Sequence, residues 1–109
     1  MGRAYKDGLQ RAGFDVDTAT DGIEALKKAK NAHHDLIILD LVMPLKNGFE
    51  VLEELRNDQT FKETPIIVIS NLGQETDIEK AMQLGATDYL VKNQFSMRQV
   101  VERIGKYLG

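Results

Sequence analysis

The 109-residue chain reads as a single α/β domain built on a parallel sheet. Two observations carry this reading. The runs Leu36-Ile37-Ile38-Leu39 and Ile66-Ile67-Val68-Ile69 are too short for most helices and rich in β-branched residues, as strands buried on both faces of a parallel sheet are. Each run is also flanked by segments whose apolar residues recur at helical spacing, and strictly alternating strand and helix patterns imply parallel strands with crossover helices.

The elements follow in order. Met1, Tyr5, Leu9 and Ala12 share one stripe of a first helix, and Gly13 stands where a left-handed cap belongs. Phe14 to Ala19 alternates apolar and polar, which predicts a strand with one wet face near a sheet edge. Asp21 with Glu24 has capping-box spacing, and Ile23, Leu26 and Ala29 point inward from it, so a second helix runs to about Ala32. The first buried strand extends to Val42, ahead of Pro44. Asn47 and Glu50 repeat the capping spacing, and Phe49, Leu52 and Leu55 form the inner face of a third helix. Pro65 introduces the second buried strand, which ends at Ser70. A fourth helix turns Ile78, Ala81 and Met82 inward and closes at Gly85. A short strand, Tyr89-Leu90-Val91, ends at Lys92. Ser96 with Gln99 caps a last helix, whose expected buried stripe is Met97, Val101, Ile104 and Leu108. The total is four strands and five helices.

Composition narrows the function. Hydrophobic residues make up 42% and charged residues 28%, and the formal net charge is -3. That balance provides no electrostatic footprint for nucleic acid, so direct nucleic-acid binding is not expected. With no cysteine, disulfides, thiol catalysis and thiolate metal sites drop out. No apolar stretch approaches the length of a membrane span and no basic-then-apolar leader opens the chain, so a cytoplasmic domain without membrane contact is expected. His33-His34 reads as a solvated helix end and not as a metal site, because adjacent helical residues do not face each other. Lys27, Lys28 and Lys30 read as a wet helix face.

Three polar residues end three successive buried strands: Asp40, Ser70 and Lys92. In open parallel sheets the carboxyl ends of the strands form the ligand crevice, so these side chains converge on one site. Each alone has a plainer explanation: Asp40 as a turn cap before Pro44, Ser70 as a strand-terminating turn residue, Lys92 as a solvated lysine. Together they suit phosphoryl chemistry, with a carboxylate as nucleophile and a hydroxyl and an ammonium to hold the oxygens of the group received.

These residues resemble a known family, the receiver domain of two-component response regulators, which has the flavodoxin-like fold. Asp40-Leu41-Val42-Met43-Pro44 followed by Asn47-Gly48 is similar to the family's phosphoacceptor loop. Ile66 to Ser70 is similar to the strand ending in the switch hydroxyl, and Gly85-Ala86-Thr87-Asp88-Tyr89-Leu90-Val91-Lys92 to the final strand. The resemblance implies a flavodoxin-like parallel sheet with helices on both faces. It implies that Asp40 receives a phosphoryl group from a sensor histidine kinase or phosphotransfer protein, forming an acyl phosphate. It further implies that Ser70 swings to bond the phosphoryl oxygen, that Lys92 pairs with it, and that Tyr89 changes rotamer with Ser70. Asp40 and the backbone carbonyl of Val42 are the implied Mg²⁺ ligands, and the face of the fourth helix, last strand and last helix the implied output surface.

The chain departs from the family pattern twice. Asn93 follows Lys92 where the family has a proline in a cis peptide, and a non-proline bond costs about 2.5 to 4 kcal/mol to be cis. The family also begins with a strand ending in a pair of acidic residues. This chain starts in a helix, so it reads as a receiver truncated at its N-terminus, with the central strand of the 2-1-3-4-5 order missing. Three repairs are expected as alternatives: the neighbouring strands close up, a second copy swaps structure in to make an oligomer, or the first helix covers the gap. One carboxylate and one carbonyl are few ligands for Mg²⁺, so weak Mg²⁺ binding and slow phosphorylation by small donors are expected. Two competing readings are a truncated or engineered receiver fragment with little phosphotransfer, and a haloacid-dehalogenase-like phosphatase. The phosphatase needs a second acid two residues after the nucleophile, where Val42 stands, so the chain is not expected to be an enzyme.

Overall fold

The structure, a computed structural model, describes residues 3–15, 19 and 21–108. The elements are α1 (Arg3–Arg11), α2 (Gly22–Asn31), β1 (Ile37–Leu39), α3 (Gly48–Arg56), β2 (Ile66–Ser70), α4 (Glu75–Gln83), β3 (Asp88–Val91) and α5 (Met97–Leu108). Two 3-10 turns, Gln59–Phe61 and Lys92–Gln94, complete the path.

Local signals set most boundaries. Asp21 caps α2 by accepting from the Glu24 N–H at 2.8 Å, and Glu24 in turn reaches Lys28 at 3.7 Å. The Asn47–Glu50 capping box of α3 is formed in both directions, as is that of Ser96 and Gln99 at α5. Gly13 and Gly85 take φ of 97° and 106°, a backbone region where a Cβ would be strained. They close α1 and α4 with paired cap bonds, Phe14 N–H to Leu9 and Gly13 N–H to Gln10 in one, Ala86 N–H to Ala81 and Gly85 N–H to Met82 in the other.

The described sheet has three parallel strands in the order β1-β2-β3. Ile37, Ile38 and Leu39 pair with Ile66, Ile67 and Val68, and Ile67 to Ser70 pair with Asp88 to Val91. Side chains alternate across β2. Ile66 and Val68 pack with Leu26, Leu39, Leu52 and Ala81, so α2, α3 and α4 cover one face. Ile67 and Ile69 pack with Leu9, Leu90, Val100 and Ile104, so α1 and α5 cover the other. All five β2 residues are buried, and each large aliphatic side chain so placed contributes about 1.5 to 3 kcal/mol of transfer free energy.

Several expectations are corrected. β1 stops at Leu39 and does not reach Val42, and Ile37 and Ile38 are only half-buried, because among the described residues nothing pairs with the outer edge of β1. The strand expected over Phe14 to Ala19 rests on residues 16–18, which lie outside the described residues; Phe14, Asp15 and Ala19 are themselves not in a strand. The Met1 and Tyr5 parts of the first stripe likewise fall outside the described side chains, Leu9 is buried as expected, and Ala12 is exposed. Ile23 is 56% exposed and Met82 45%, since each lies one position off the stripe that Leu26 and Ala81 bury. In α5 the buried positions are Val100 and Ile104, with Leu108 exposed. The helix is rotated by about one residue from the expected stripe, so Val101 moves to its flank.

Candidate functional site

The three strands end together, and their terminal polar residues meet there. Asp40 follows β1 directly, Ser70 is the last residue of β2, and Lys92 follows β3. Lys92 Nζ lies 3.0 Å from Asp40 Oδ2, with the aspartate side chain only 13% exposed and the lysine's 22%. Asp40 Oδ1 accepts from the Val42 N–H at 3.1 Å, so the carboxylate also performs the turn-capping job of its plainer reading. The Val42 side chain is exposed.

Gly48 is a part of this site that sequence reasoning used only as a motif position. Its N–H donates to Leu41 C=O at 3.0 Å, and a Cβ built on it would stand 2.3 Å from the Asp40 carbonyl oxygen and 2.5 Å from the Leu41 Cα. The start of α3 is thereby pressed against the backbone that carries Asp40.

Ser70 is fully buried. Its Oγ accepts from the Leu72 N–H at 3.2 Å, and the Tyr89 hydroxyl donates to the Leu72 carbonyl. Leu72 is thus gripped on both backbone groups by the two residues expected to move together, a link with no signal in its side chain. Burial pushes the Tyr89 phenol above its usual pKa, a Ser70 hydrogen bond opposes this, and the charges of Asp77 and Asp40 add to the rise.

The Lys92–Asn93 bond is trans, as are all described peptides, and the chain passes from Lys92 into a 3-10 turn. Below the site, Arg56 at the end of α3 holds the far side of the sheet. It donates to the carbonyls of Gly85 (2.7 Å), Phe61 (2.6 Å) and Thr64 (2.8 Å) and to Thr87 Oγ1 (3.2 Å). Burial lowers its pKa. His33 stays exposed, 3.1 Å from Asp35.

The described residues do not form a Mg²⁺ site. Mg²⁺ wants near-octahedral oxygen ligands, and here one carboxylate is already engaged by Lys92 and Val42. Among the described residues no group of three His, Cys, Asp or Glu could hold a metal ion, and no helix is long and apolar enough to cross a membrane.

The response regulator receiver domain model matches residues 1–105. The chain is 43% identical over 96 residues to the alkaline phosphatase synthesis transcriptional regulatory protein PhoP of Bacillus subtilis, covering 88% of this chain and 39% of that protein. It is 38% identical over 96 residues to the DNA-binding dual master transcriptional regulator RpaA of Synechocystis, again covering 88% and 39%. The chain therefore spans about two-fifths of the length of these curated relatives. Among solved structures, Vibrio cholerae chemotaxis protein CheY4 superposes with a TM-score of 0.88 at 34% identity, over 96% of this chain and 87% of that one. The receiver domain of sensor histidine kinase PA1611 from Pseudomonas aeruginosa, with magnesium coordinated in its active-site cleft, gives 0.88 at 26% identity over 97% and 86%. A family match across nearly the whole chain, carried by a flavodoxin-like sheet with this convergence of strand ends, means that the protein belongs to the response regulator receiver domain family.

Proposed function

We propose that Asp40 is the phosphoacceptor of this receiver domain, taking a phosphoryl group from a histidine kinase or a phosphotransfer protein. The observation that carries this is the Lys92–Asp40 pair at the ends of non-adjacent strands, with buried Ser70 ending the strand between them. A carboxylate oxygen of Asp40 attacks the phosphorus of a phosphohistidine, the P–N bond breaks, an acyl phosphate forms, and the imidazole nitrogen takes up a proton. Lys92 is then held beside a group that carries about -1.5 to -2 charge. Ser70 leaves Leu72 for a phosphoryl oxygen, which releases the Leu72 N–H and lets Tyr89 follow. In this way a local charge biases the segment after β2 and the face of α4, β3 and α5 between two arrangements.

Phosphoramidate, a small P–N donor, tests the reading. Intact-mass measurement should show one phosphoryl group gained slowly by the chain, none by Asp40→Asn, and a slower gain by Lys92→Ala. A gain that persists in Asp40→Asn overturns the assignment. A second reading, a receiver fold with little or no phosphotransfer, is favoured by the missing group of three metal-capable side chains among the described residues. It predicts no gain from phosphoramidate at all.

A further inference from the structure

Beside the outer edge of β1 lies a cleft of about 640 Å³. Its apolar lining includes Leu9 from α1, Phe14, Leu36 and Ile38 beside and within β1, and Ile104 from α5. The backbone at this edge is oriented for pairing. The Ile37 N–H donates to Pro65 at 2.9 Å, and with the register Ile37 to Ile66 and Leu39 to Val68, Ile37 and Leu39 turn their N–H and C=O groups toward β2. In a parallel ladder the residue between them faces the other way. Ile38 therefore aims its N–H and C=O outward, and among the described residues no strand meets them.

An apolar cleft bounded by an unpaired strand edge specifies its occupant more narrowly than an apolar cleft alone. Main-chain groups along the edge select an extended backbone, and the walls select the side chains. The size agrees. A strand takes up about 3.3 Å per residue along its axis, about 4.8 Å across the sheet and about 10 Å between packed layers, so four residues fill roughly 630 Å³. Charge sets the direction. The charged groups lining the cleft are Asp15, Asp35 and Asp40 against Lys6, and Asp40 is paired with Lys92. Unbalanced negative charge thus lies with Asp35 at the end where β1 begins, and with Asp15 next to Phe14 of the same apolar cluster as Leu36.

We propose that this cleft takes a separate polypeptide strand, an extended apolar segment of about four residues with a basic N-terminal end, running parallel to β1 and hydrogen-bonded to Ile38. The interaction is independent of phosphoryl chemistry at Asp40.

Backbone hydrogen exchange on the full 109-residue chain tests it, with and without an excess of the blocked peptide Lys-Lys-Val-Ile-Val-Ile-Ser. The Ile38 amide should slow about tenfold with the peptide, as an edge amide does on gaining a strand partner, while the Leu39 amide, already turned to β2, changes little. Replacing the central valine of the peptide by proline should abolish the effect, and glutamates in place of its lysines should weaken binding. The proposal is overturned by an Ile38 amide indifferent to the peptide. It is overturned equally if Ile38 exchanges as slowly as Leu39 in the free monomer, which assigns the edge to the chain's own residues. A concentration-dependent dimer in sedimentation, with Ile38 already protected, would assign the edge to a second copy and also overturn it.

Discussion

Lys92 Nζ and Asp40 Oδ2, 52 positions apart in the chain, stand 3.0 Å apart in the fold. The pair spans the end of β2, because β1 and β3 are not neighbours, and only a side chain as long as lysine reaches across. A partly exposed ion pair of this kind contributes about 1 kcal/mol or less. Its larger role is to hold a cation where phosphoryl charge accumulates. Lys92→Ala should therefore lower stability by about 1 kcal/mol in urea titration yet slow phosphoryl gain by about a hundredfold, as removal of one oxyanion donor does. A variant that loses stability with unchanged transfer would make the lysine structural only.

Gly48 and Gly105 separate close approach from mere helix position. An alanine Cβ at Gly48 would collide with the Asp40 carbonyl, whereas at Gly105 in α5 nothing lies within 4 Å. Gly48→Ala should cost about 1 to 3 kcal/mol through overpacking and reduce phosphoryl gain by shifting Asp40. Gly105→Ala should instead stabilise by about 0.5 to 1 kcal/mol, because the unfolded chain loses freedom and the helix gains propensity. Urea midpoints of the two variants check this contrast.

Arg56 ties four separate points: the end of α3, the turn at Phe61, the approach to β2 at Thr64, and the Gly85–Thr87 lead into β3. Arg56→Ala leaves several part-buried carbonyls without their charged donor, which should cost about 3 kcal/mol. Arg56→Lys should recover only part of that, since an ammonium cannot reproduce the planar fork. Chemical denaturation of both variants distinguishes the fork from the charge.

Alkaline pH should act through two phenols. Burial raises the Tyr89 pKa, and burial with a hydrogen bond to Asp88 raises that of Tyr107. A group whose folded pKa lies above its unfolded value contributes stability that is complete below the unfolded pKa, here 10.0. That contribution disappears as pH rises through the folded value, because the unfolded chain releases its proton first. Denaturant midpoints measured from pH 9 upward should hold steady at first and fall above about pH 10. The fall should be shallower in Tyr89→Phe, and an equally steep one would remove Tyr89 from the account.

Magnesium should bind weakly. A ligand that binds only the folded state stabilises by RT ln(1 + [L]/Kd), so thermal melts with rising MgCl₂ should show no saturating increase in Tm. A saturating rise abolished by Asp40→Asn would demonstrate a metal site despite the single engaged carboxylate.

Much of this was legible in the residues. Asp21, Asn47 and Ser96 announced their helices because a cap is a contact between residues three apart, and Gly13 and Gly85 announced helix ends because only glycine accepts that backbone cheaply. The two isoleucine-rich runs announced strands for the same local reason. The rotation of α5 that buries Val100 and the exposure of Ile23 and Met82 were not legible. A stripe three residues wide has several near-equivalent registers, and what packs opposite selects among them. Arg56 and Leu72 were equally silent, since their partners are backbone groups brought in by other elements.

The sequence by itself determined the alternation of helix and strand, the caps, and the chemistry available at the strand ends: a carboxylate, a hydroxyl and an ammonium in Asp40, Ser70 and Lys92. Tertiary structure decided which of these touch, pairing Lys92 with Asp40 across β2 and leaving Ser70 and Tyr89 on opposite backbone groups of Leu72. It also decided that Ile38 faces a cleft and not a neighbouring strand. Propensity and capping act within a few residues, whereas strand order, register and the meeting of distant side chains are set by which faces bury each other once the chain is closed.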